Sequence, residues 1–186
     1  MSSPPKSRTR RSFALALSIV FGFGLVARAQ TPTLTTPAPR PTPLPITKIT
    51  GTLECGKPEI TKREVGDAPH HVLSLGEEPC RWTKGVKLGR LKISRGESTM
   101  MRDERGDTAA IRGYHVGRAI NGDAYFFRFD GQVQIRTDLP DLLHGRWAFT
   151  GGTGELAGLE GKGSFKGIQG TDGTTKLEFE GESRLP

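Results

Sequence analysis

The feature that most constrains this chain is the recurrence of apolar residues at every second position in much of its C-terminal part. The clearest run alternates apolar with mainly polar side chains, and its apolar face carries Tyr125, Phe127, Phe129, Val133 and Ile135. Successive side chains of a β-strand point to opposite faces, so this period predicts a long strand with one buried and one wet face. Shorter runs of the same kind cover residues 49–55 and 176–180.

Glycine-containing turn sequences separate these runs at short intervals. Asn121-Gly122 and Asp172-Gly173 supply the positive φ angles that tight hairpins need, while Asp130-Gly131 fits either a turn or a bulge within one curved strand. No stretch of a dozen residues has a capped apolar stripe with helical spacing. The pattern therefore predicts an all-β domain, either a sandwich or a barrel, with any helix short.

The first 29 residues have the order of a cleavable signal peptide. Basic residues precede an apolar run over 13–26 and a small-residue site at Ala27-Arg28-Ala29, so we expect cleavage before Gln30. That run is too short for a bilayer, which needs about 20 residues, so no stable membrane insertion is expected after cleavage. Arg10-Arg11 resembles the twin-arginine export signal, but the pair also occurs in general secretory signals, and both routes stay open.

Residues 30–45 are rich in Pro and Thr and predict an extended linker rather than part of the fold. Proline at nearly every second position from Pro37 to Pro45 disfavours helix and removes ladder donors. The same composition is found in ligands of proline-binding grooves, which is the alternative interpretation. We therefore expect a signal peptide over 1–29, a linker over 30–45 and one β domain over 46–186.

The formal charge of +7 suggests nucleic-acid binding until the signal segment is set aside. That segment holds five basic and no acidic residues, so 22 basic face 20 acidic side chains in the remainder, a net charge of +2. Downstream basic residues are interleaved with acidic ones, and no basic stripe carries stacking aromatics. We therefore expect no nucleic-acid partner.

Cys55 and Cys80 are the two cysteines of the chain, and both follow the export signal. An oxidising compartment favours a disulfide between them, closing a loop of about 25 residues. A redox-active pair is the alternative, but the CxxC spacing is missing. The expected location is the periplasm or the extracellular space.

Residues 147–165 read WAFTGGTGELAGLEGKGSF and contain a glycine-rich turn. A phosphate-binding loop is disfavoured because no helix pattern follows and Gly163, not Ser or Thr, succeeds Lys162. We expect instead that Trp147 and Phe149 end one strand, that Leu156 and Leu159 plug one end of a barrel, and that Phe165 starts the return strand.

This segment resembles the Gly-Thr-Gly hairpin of the allene oxide cyclase and dirigent-like β-barrel families, including small secreted bacterial members. Gly122-Asp123 upstream and Asp172-Gly173 downstream occur in the order seen in that group. The resemblance implies a single antiparallel eight-stranded barrel with an apolar interior. Because the plant families generally form trimers, it also carries the expectation of a homo-oligomer. None of the families' polar functional residues can be placed here.

The four histidines do not make a metal site from sequence. His70 and His71 are adjacent, so on a strand they point to opposite faces, and we expect solvated or capping roles for them and for His115 and His144. No nucleophile elbow of the G-x-S-x-G type is present, although a triad assembled by the fold stays open. The sequence thus names no metal, no cofactor and no catalytic residue.

The main functional prediction is that the barrel binds a small apolar or aromatic molecule. The candidate cavity residues are the alternating aromatics Tyr125, Phe127, Phe129, Trp147 and Phe149. One alternative is an isomerase or cyclase that confines a hydrophobic substrate, which needs at least one titratable group in the cavity. The other is a structural or interaction module of the cell envelope.

Overall fold

The structure, a computed structural model, describes residues 44–186, so the predicted signal peptide and almost all of the predicted linker lie outside the described residues. Ten strands and one 3₁₀ turn follow one another. The strands are β1 (Ile46–Cys55), β2 (Glu59–Glu64), β3 (His71–Lys84), β4 (Lys87–Leu88), β5 (Leu91–Arg105), β6 (Thr108–Ala119), β7 (Ala124–Gln134), β8 (Asp141–Gly152), β9 (Glu160–Gln169) and β10 (Thr175–Arg184). The 3₁₀ turn covers Gly154–Leu156, between β8 and β9.

Eight of the strands close into one antiparallel barrel. Their order around the wall is β1-β10-β9-β8-β7-β6-β5-β3, and the circle closes because β3 pairs with β5 on one edge and with β1 on the other. The expected eight-stranded barrel is therefore confirmed. Closure leaves none of these eight strands as the open edge of a flat sheet.

The two remaining strands extend the wall without entering the circle. β2 pairs with the first half of β3, along the same edge that β1 occupies further down the strand. β4 is a two-residue strand that pairs with the start of β5. As a result, β2 borders one end of the barrel and β4 lies at the other.

Glycines allow neighbouring strands to bend and approach closely where the barrel coils. Gly131 lies opposite Gly145, and Gly163 lies opposite Gly181. A Cβ on Gly163 would overlap the carbonyl oxygen of Glu180, so a larger residue would force these strands apart. Asp130-Gly131 is thus part of one continuous strand, β7, rather than a turn.

The core occupies the barrel interior, and one end is closed by apolar side chains. Leu156 of the 3₁₀ turn and Leu159 are both buried, as the plug hypothesis requires, and Leu88 of β4 is buried with them in the core cluster. The return strand begins at Glu160, five residues before Phe165. Within residues 44–186, no helix has the length and apolar character that crossing a bilayer requires.

Candidate functional site

The five aromatic residues predicted to line a cavity lie on the two neighbouring strands β7 and β8 and contact one another. Tyr125, Phe127 and Trp147 are buried, while Phe129 and Phe149 are half-buried. Trp147 and Phe149 meet edge to face with ring centroids 5.0 Å apart. The rings fill space themselves, and Phe127 and Phe129 also border the internal cavity.

That cavity is small and mainly apolar. About 20 Å³ of it is open to a water-sized molecule, where one water needs roughly 10–15 Å³. Its wall is apolar except at one side, where polar residues of three strands meet. These are Glu78 of β3, Ser98 of β5 and Thr175 of β10.

Glu78 is the unusual residue of this wall. Its side chain is 6% exposed, and its Oε2 atom is buried without a hydrogen-bond partner. Burial raises the pKa of this carboxyl to about 7, because a charge is poorly solvated there. An unpaired buried carboxylate costs free energy, so such a group is a candidate for a ligand-binding or proton-transferring role.

Glu78 is the first of three polar residues that lie opposite one another on neighbouring strands of the barrel wall. In the strand register Glu78 lies opposite Ser98, and Ser98 lies opposite His115 of β6. Ser98 Oγ is 2.9 Å from Nδ1 of His115. His115 is 0% exposed and stacks on Phe127 at a centroid distance of 4.7 Å. Burial lowers its pKa to about 4, so the imidazole is neutral at pH 7.

The second nitrogen of His115 faces Tyr125. The phenol oxygen is 3.5 Å from Nε2, and the same oxygen accepts a hydrogen bond of 2.7 Å from Nε1 of Trp82. Burial raises the pKa of Tyr125, which therefore stays protonated at neutral pH. A chain of four side chains thus runs from Trp82 through Tyr125 and His115 to Ser98.

A larger pocket lies at the barrel end opposite the plug, and we call it the mouth. Its volume is about 180 Å³, and its lining includes Ile60 and Lys62 of β2, Ser74 of β3 and Gln169 of β9. Met100 borders both the mouth and the internal cavity. Its flexible thioether side chain therefore lies where the two spaces are nearest in their linings.

Arg102 at the mouth is paired with carboxylates. The guanidinium of Arg102 lies 3.2 Å from Glu104 and 3.4 Å from Asp141, and it donates to Gln169 at 3.2 Å. Arg102 and Asp141 are both more than four-fifths buried. Arg102 is therefore a compensated cation, whereas Lys62 at the same mouth is exposed and forms no ion pair within residues 44–186.

Cys55 and Cys80 lie opposite each other on β1 and β3 and form the expected disulfide, with a Cα–Cα distance of 4.0 Å. Their sulfurs and the Glu78 carboxylate lie within 4.8 Å of one another, the one such group of Cys, His, Asp and Glu in residues 44–186. Zinc binds the thiolate form of cysteine, and disulfide sulfurs are not available in that form. This group therefore does not fit a metal centre while the disulfide is intact.

Sequence reasoning missed Glu78 and Ser98 and was wrong about His115, which is not solvated. His71 is also buried, between the carboxylates of Asp67 and Asp103. One sequence signal was available for Glu78: a residue two positions before Cys80 shares its strand face, so it faces inward if the disulfide does. No sequence signal brings Ser98 and His115 together, because their pairing depends on strand register.

No family model matches this sequence, and no curated protein matches it either. Several solved structures align with this chain, among them the following two. A pterocarpan synthase dirigent protein aligns with a TM-score of 0.48 and 13% identity over 76% of this chain and 92% of its own. A pyocyanin demethylase aligns with a TM-score of 0.38 and 18% identity over 72% of this chain and 99% of its own. Membership of the allene oxide cyclase and dirigent-like group stays a prediction.

Proposed function

We propose that the barrel binds a small, mainly apolar molecule that passes Met100 from the mouth and hydrogen-bonds to Glu78. The observation that carries this proposal is the Glu78 oxygen that is buried without a partner. Leaving a buried polar atom unpaired costs about 1–3 kcal/mol, and more for a charged group. A ligand that supplies a donor removes that cost on binding.

Met100 is the natural gate for such a ligand. The internal cavity alone is too small for an organic molecule, whereas the mouth offers about 180 Å³. Methionine has three side-chain torsions and repacks at low cost, so a rotation of Met100 joins the two spaces. Phe127 and Phe129 then contact the ligand, while Tyr125, Trp147 and Phe149 support them from behind.

Electrostatics favours a neutral ligand over an anionic one. Arg102 at the mouth is already paired with two carboxylates, and Glu78 inside repels anions once it is ionised. A neutral molecule avoids the cost of moving an unpaired charge into the barrel. We therefore expect neutral aromatic or aliphatic compounds with a hydrogen-bond donor to bind best.

The test uses N-phenyl-1-naphthylamine, a neutral aromatic amine whose fluorescence rises in apolar surroundings. We expect a saturable increase with one site per barrel. The variant Glu78→Leu removes the acceptor and should weaken binding about tenfold, the effect of losing one hydrogen bond to a charged group. The absence of a saturable signal from the folded wild-type protein would overturn the proposal.

Two adjacent methionines provide a matched control for the gate. Met100 borders the cavity, whereas Met101 lines a groove that includes outward-facing residues such as Arg112 and His144. Met100→Trp should obstruct access and weaken binding at least tenfold. Met100→Ala should increase the rate of association. Met101→Trp should leave binding unchanged. Equal effects of the two tryptophan substitutions would show that the ligand does not enter past Met100.

A second candidate is an isomerase in which Glu78 moves a proton. The specific observation is the pKa of about 7, which suits a general acid or base at neutral pH. The probe is deuterium exchange at the carbons next to the carbonyl of 1-phenyl-2-propanone in heavy water. We expect wild-type protein to accelerate exchange and Glu78→Gln to return it to the background rate. Equal rates for the two proteins would eliminate this candidate.

We also propose that the protein acts outside the cytoplasm, in the periplasm or after secretion. The Cys55–Cys80 disulfide supports this, because disulfides persist in oxidising compartments. Amino-terminal sequencing of the exported protein should give Gln30 as the first residue. Recovery of the mature protein only from cytoplasm would contradict this location.

A further inference from the structure

The hydrogen-bond chain from Trp82 to Ser98 has a fixed donor-to-acceptor order, because its first residue can only donate. An indole N–H can donate but has no lone pair with which to accept. In the 2.7 Å contact the Tyr125 oxygen is therefore the acceptor. The phenol hydrogen of Tyr125 is left free to point elsewhere.

His115 Nε2 lies 3.5 Å from the Tyr125 oxygen and is the remaining neighbour of that hydroxyl in the chain. A neutral imidazole has one donor nitrogen and one acceptor nitrogen. If Nε2 accepts from Tyr125, the imidazole hydrogen is on Nδ1. His115 then donates through Nδ1 to Ser98 Oγ over 2.9 Å.

Ser98 accepts from His115 and so keeps its own hydroxyl hydrogen for another partner. Two groups are close on its other side. The Cys80 sulfur lies at 3.4 Å, but a disulfide sulfur is a weak acceptor. Glu78 lies opposite Ser98 in the register, and both side chains border the internal cavity.

We infer that Trp82, Tyr125 and His115 act as positioning residues that fix Ser98 as a hydrogen-bond donor into the cavity beside the acceptor Glu78. The ligand head group that fits this pair accepts from Ser98 and donates to Glu78. A neutral hydroxyl group does both with one oxygen. This inference rests on the proposed function for its ligand, but the direction of the chain does not depend on any ligand.

The first experiment measures the direction without ligand. Long-range ¹H–¹⁵N NMR on labelled protein distinguishes the two imidazole tautomers, and we expect His115 to carry its hydrogen on Nδ1. Trp82→Phe frees the Tyr125 oxygen to accept from Nε2, so the Nε2–H form should appear. Tyr114→Phe alters the exposed tyrosine and should change nothing.

An Nε2–H tautomer in the wild-type protein would overturn the inference. An unchanged His115 spectrum in folded Trp82→Phe would also overturn it, because Trp82 would then not set the direction. If Trp82→Phe fails to fold, Tyr125→Phe provides the second variant. It removes the donor to Nε2, so a wild-type tautomer ratio in that variant counts equally against the chain.

The second experiment measures what Ser98 offers to a ligand. Benzyl methyl ether and propylbenzene have the same shape, but only the ether oxygen accepts a hydrogen bond. Both are tested as competitors of N-phenyl-1-naphthylamine. The affinity ratio of ether to hydrocarbon should fall about fivefold in Ser98→Ala, the value of one ordinary hydrogen bond.

The outcomes separate this inference from the proposed function. If the naphthylamine does not bind at all, the proposed function fails. The tautomer measurement still tests the direction of the hydrogen-bond chain, because it needs no ligand. If it binds and the ether-to-hydrocarbon ratio is the same in wild type and Ser98→Ala, Ser98 is not a donor to the ligand. Benzyl alcohol should displace the probe at lower concentration than the ether, since it can also donate to Glu78.

Discussion

Trp82 and Tyr125 belong to strands that are separated by two others in the barrel wall, and they meet in its interior through a 2.7 Å hydrogen bond from the indole to the phenol oxygen. The bond joins β3 to β7 across the barrel rather than along the sheet. Trp82 also packs edge to face on Phe179 of β10, at 5.1 Å between centroids. These contacts connect three parts of the wall above the buried plug.

Replacing Tyr125 with Phe should destabilise the barrel while keeping its ring. The substitution leaves the N–H of the half-buried Trp82 without its acceptor and removes a neighbour of His115, so we expect a loss of about 1–3 kcal/mol in the free energy of unfolding. Urea unfolding monitored by tryptophan fluorescence measures it. The control is Tyr114→Phe, which changes the exposed tyrosine and should stay within about 0.5 kcal/mol of wild type. Equal stability of the two variants would contradict this role for Tyr125.

Gly117→Ala should also weaken the barrel, for a steric reason. A Cβ at Gly117 would overlap the ring and hydroxyl of Tyr125, its cross-strand partner. Overpacking of this kind costs about 1–3 kcal/mol. Gly85→Ala is the matched control, because its Cβ would meet only the Lys92 side chain at 3.9 Å. Thermal unfolding of both variants should show a lower midpoint for Gly117→Ala alone.

The stability of the wild-type protein should change little between about pH 4.5 and 6.5, because two buried groups oppose each other. Burial raises the pKa of Glu78 from 4.5 to about 7, so the folded state holds a proton that the unfolded state releases, and stability falls as pH rises through this range. Burial lowers the pKa of His115 from 6.5 to about 4, so the unfolded state binds the extra proton, and stability rises with pH. Each effect is of the order of 3 kcal/mol.

Single substitutions should separate the two effects. In Glu78→Gln only the His115 effect remains, so the free energy of unfolding should increase between pH 4.5 and 6.5 relative to wild type. In His115→Gln only the Glu78 effect remains. The free energy of unfolding of this variant should therefore decrease over the same pH range and level off above about pH 7. Urea unfolding across this range measures both slopes. Parallel pH profiles for all three proteins would show that neither group titrates as its burial requires.

Removing the disulfide should cost about 3 kcal/mol on the chain-entropy account of a closed loop of this length. Cys55 and Cys80 are 25 residues apart and join the end of β1 to β3. The double variant Cys55→Ala/Cys80→Ala should therefore unfold at lower urea concentration than the oxidised protein. Reduced wild-type protein should lose a similar amount of unfolding free energy. An unchanged urea midpoint in both proteins would mean that strand pairing alone stabilises the contact between β1 and β3.

The candidate site was accessible to sequence reasoning only in part. Alternation correctly placed Tyr125, Phe127 and Phe129 on one inward face, because strand geometry makes every second residue share a face. It gave no reason to single out Ser98 or His115, which are 17 residues apart and meet only when β5 and β6 pair in one register. Burial also lowers the pKa of His115, and this burial depends on the strands that close the barrel around it.

The residues alone determined the strand periodicity, the glycine turns and the cysteine pair, because each depends on local chemistry or on counts of residue types. The tertiary structure decided which aromatics fill the interior, that Met100 lines both the mouth and the cavity, and that Glu78 lies unpaired opposite Ser98. The physical reason is that a shift of one residue in strand register moves every side chain to the other face. The position of a buried carboxylate in the barrel is therefore a property of strand pairing, and its raised pKa is a consequence of that position.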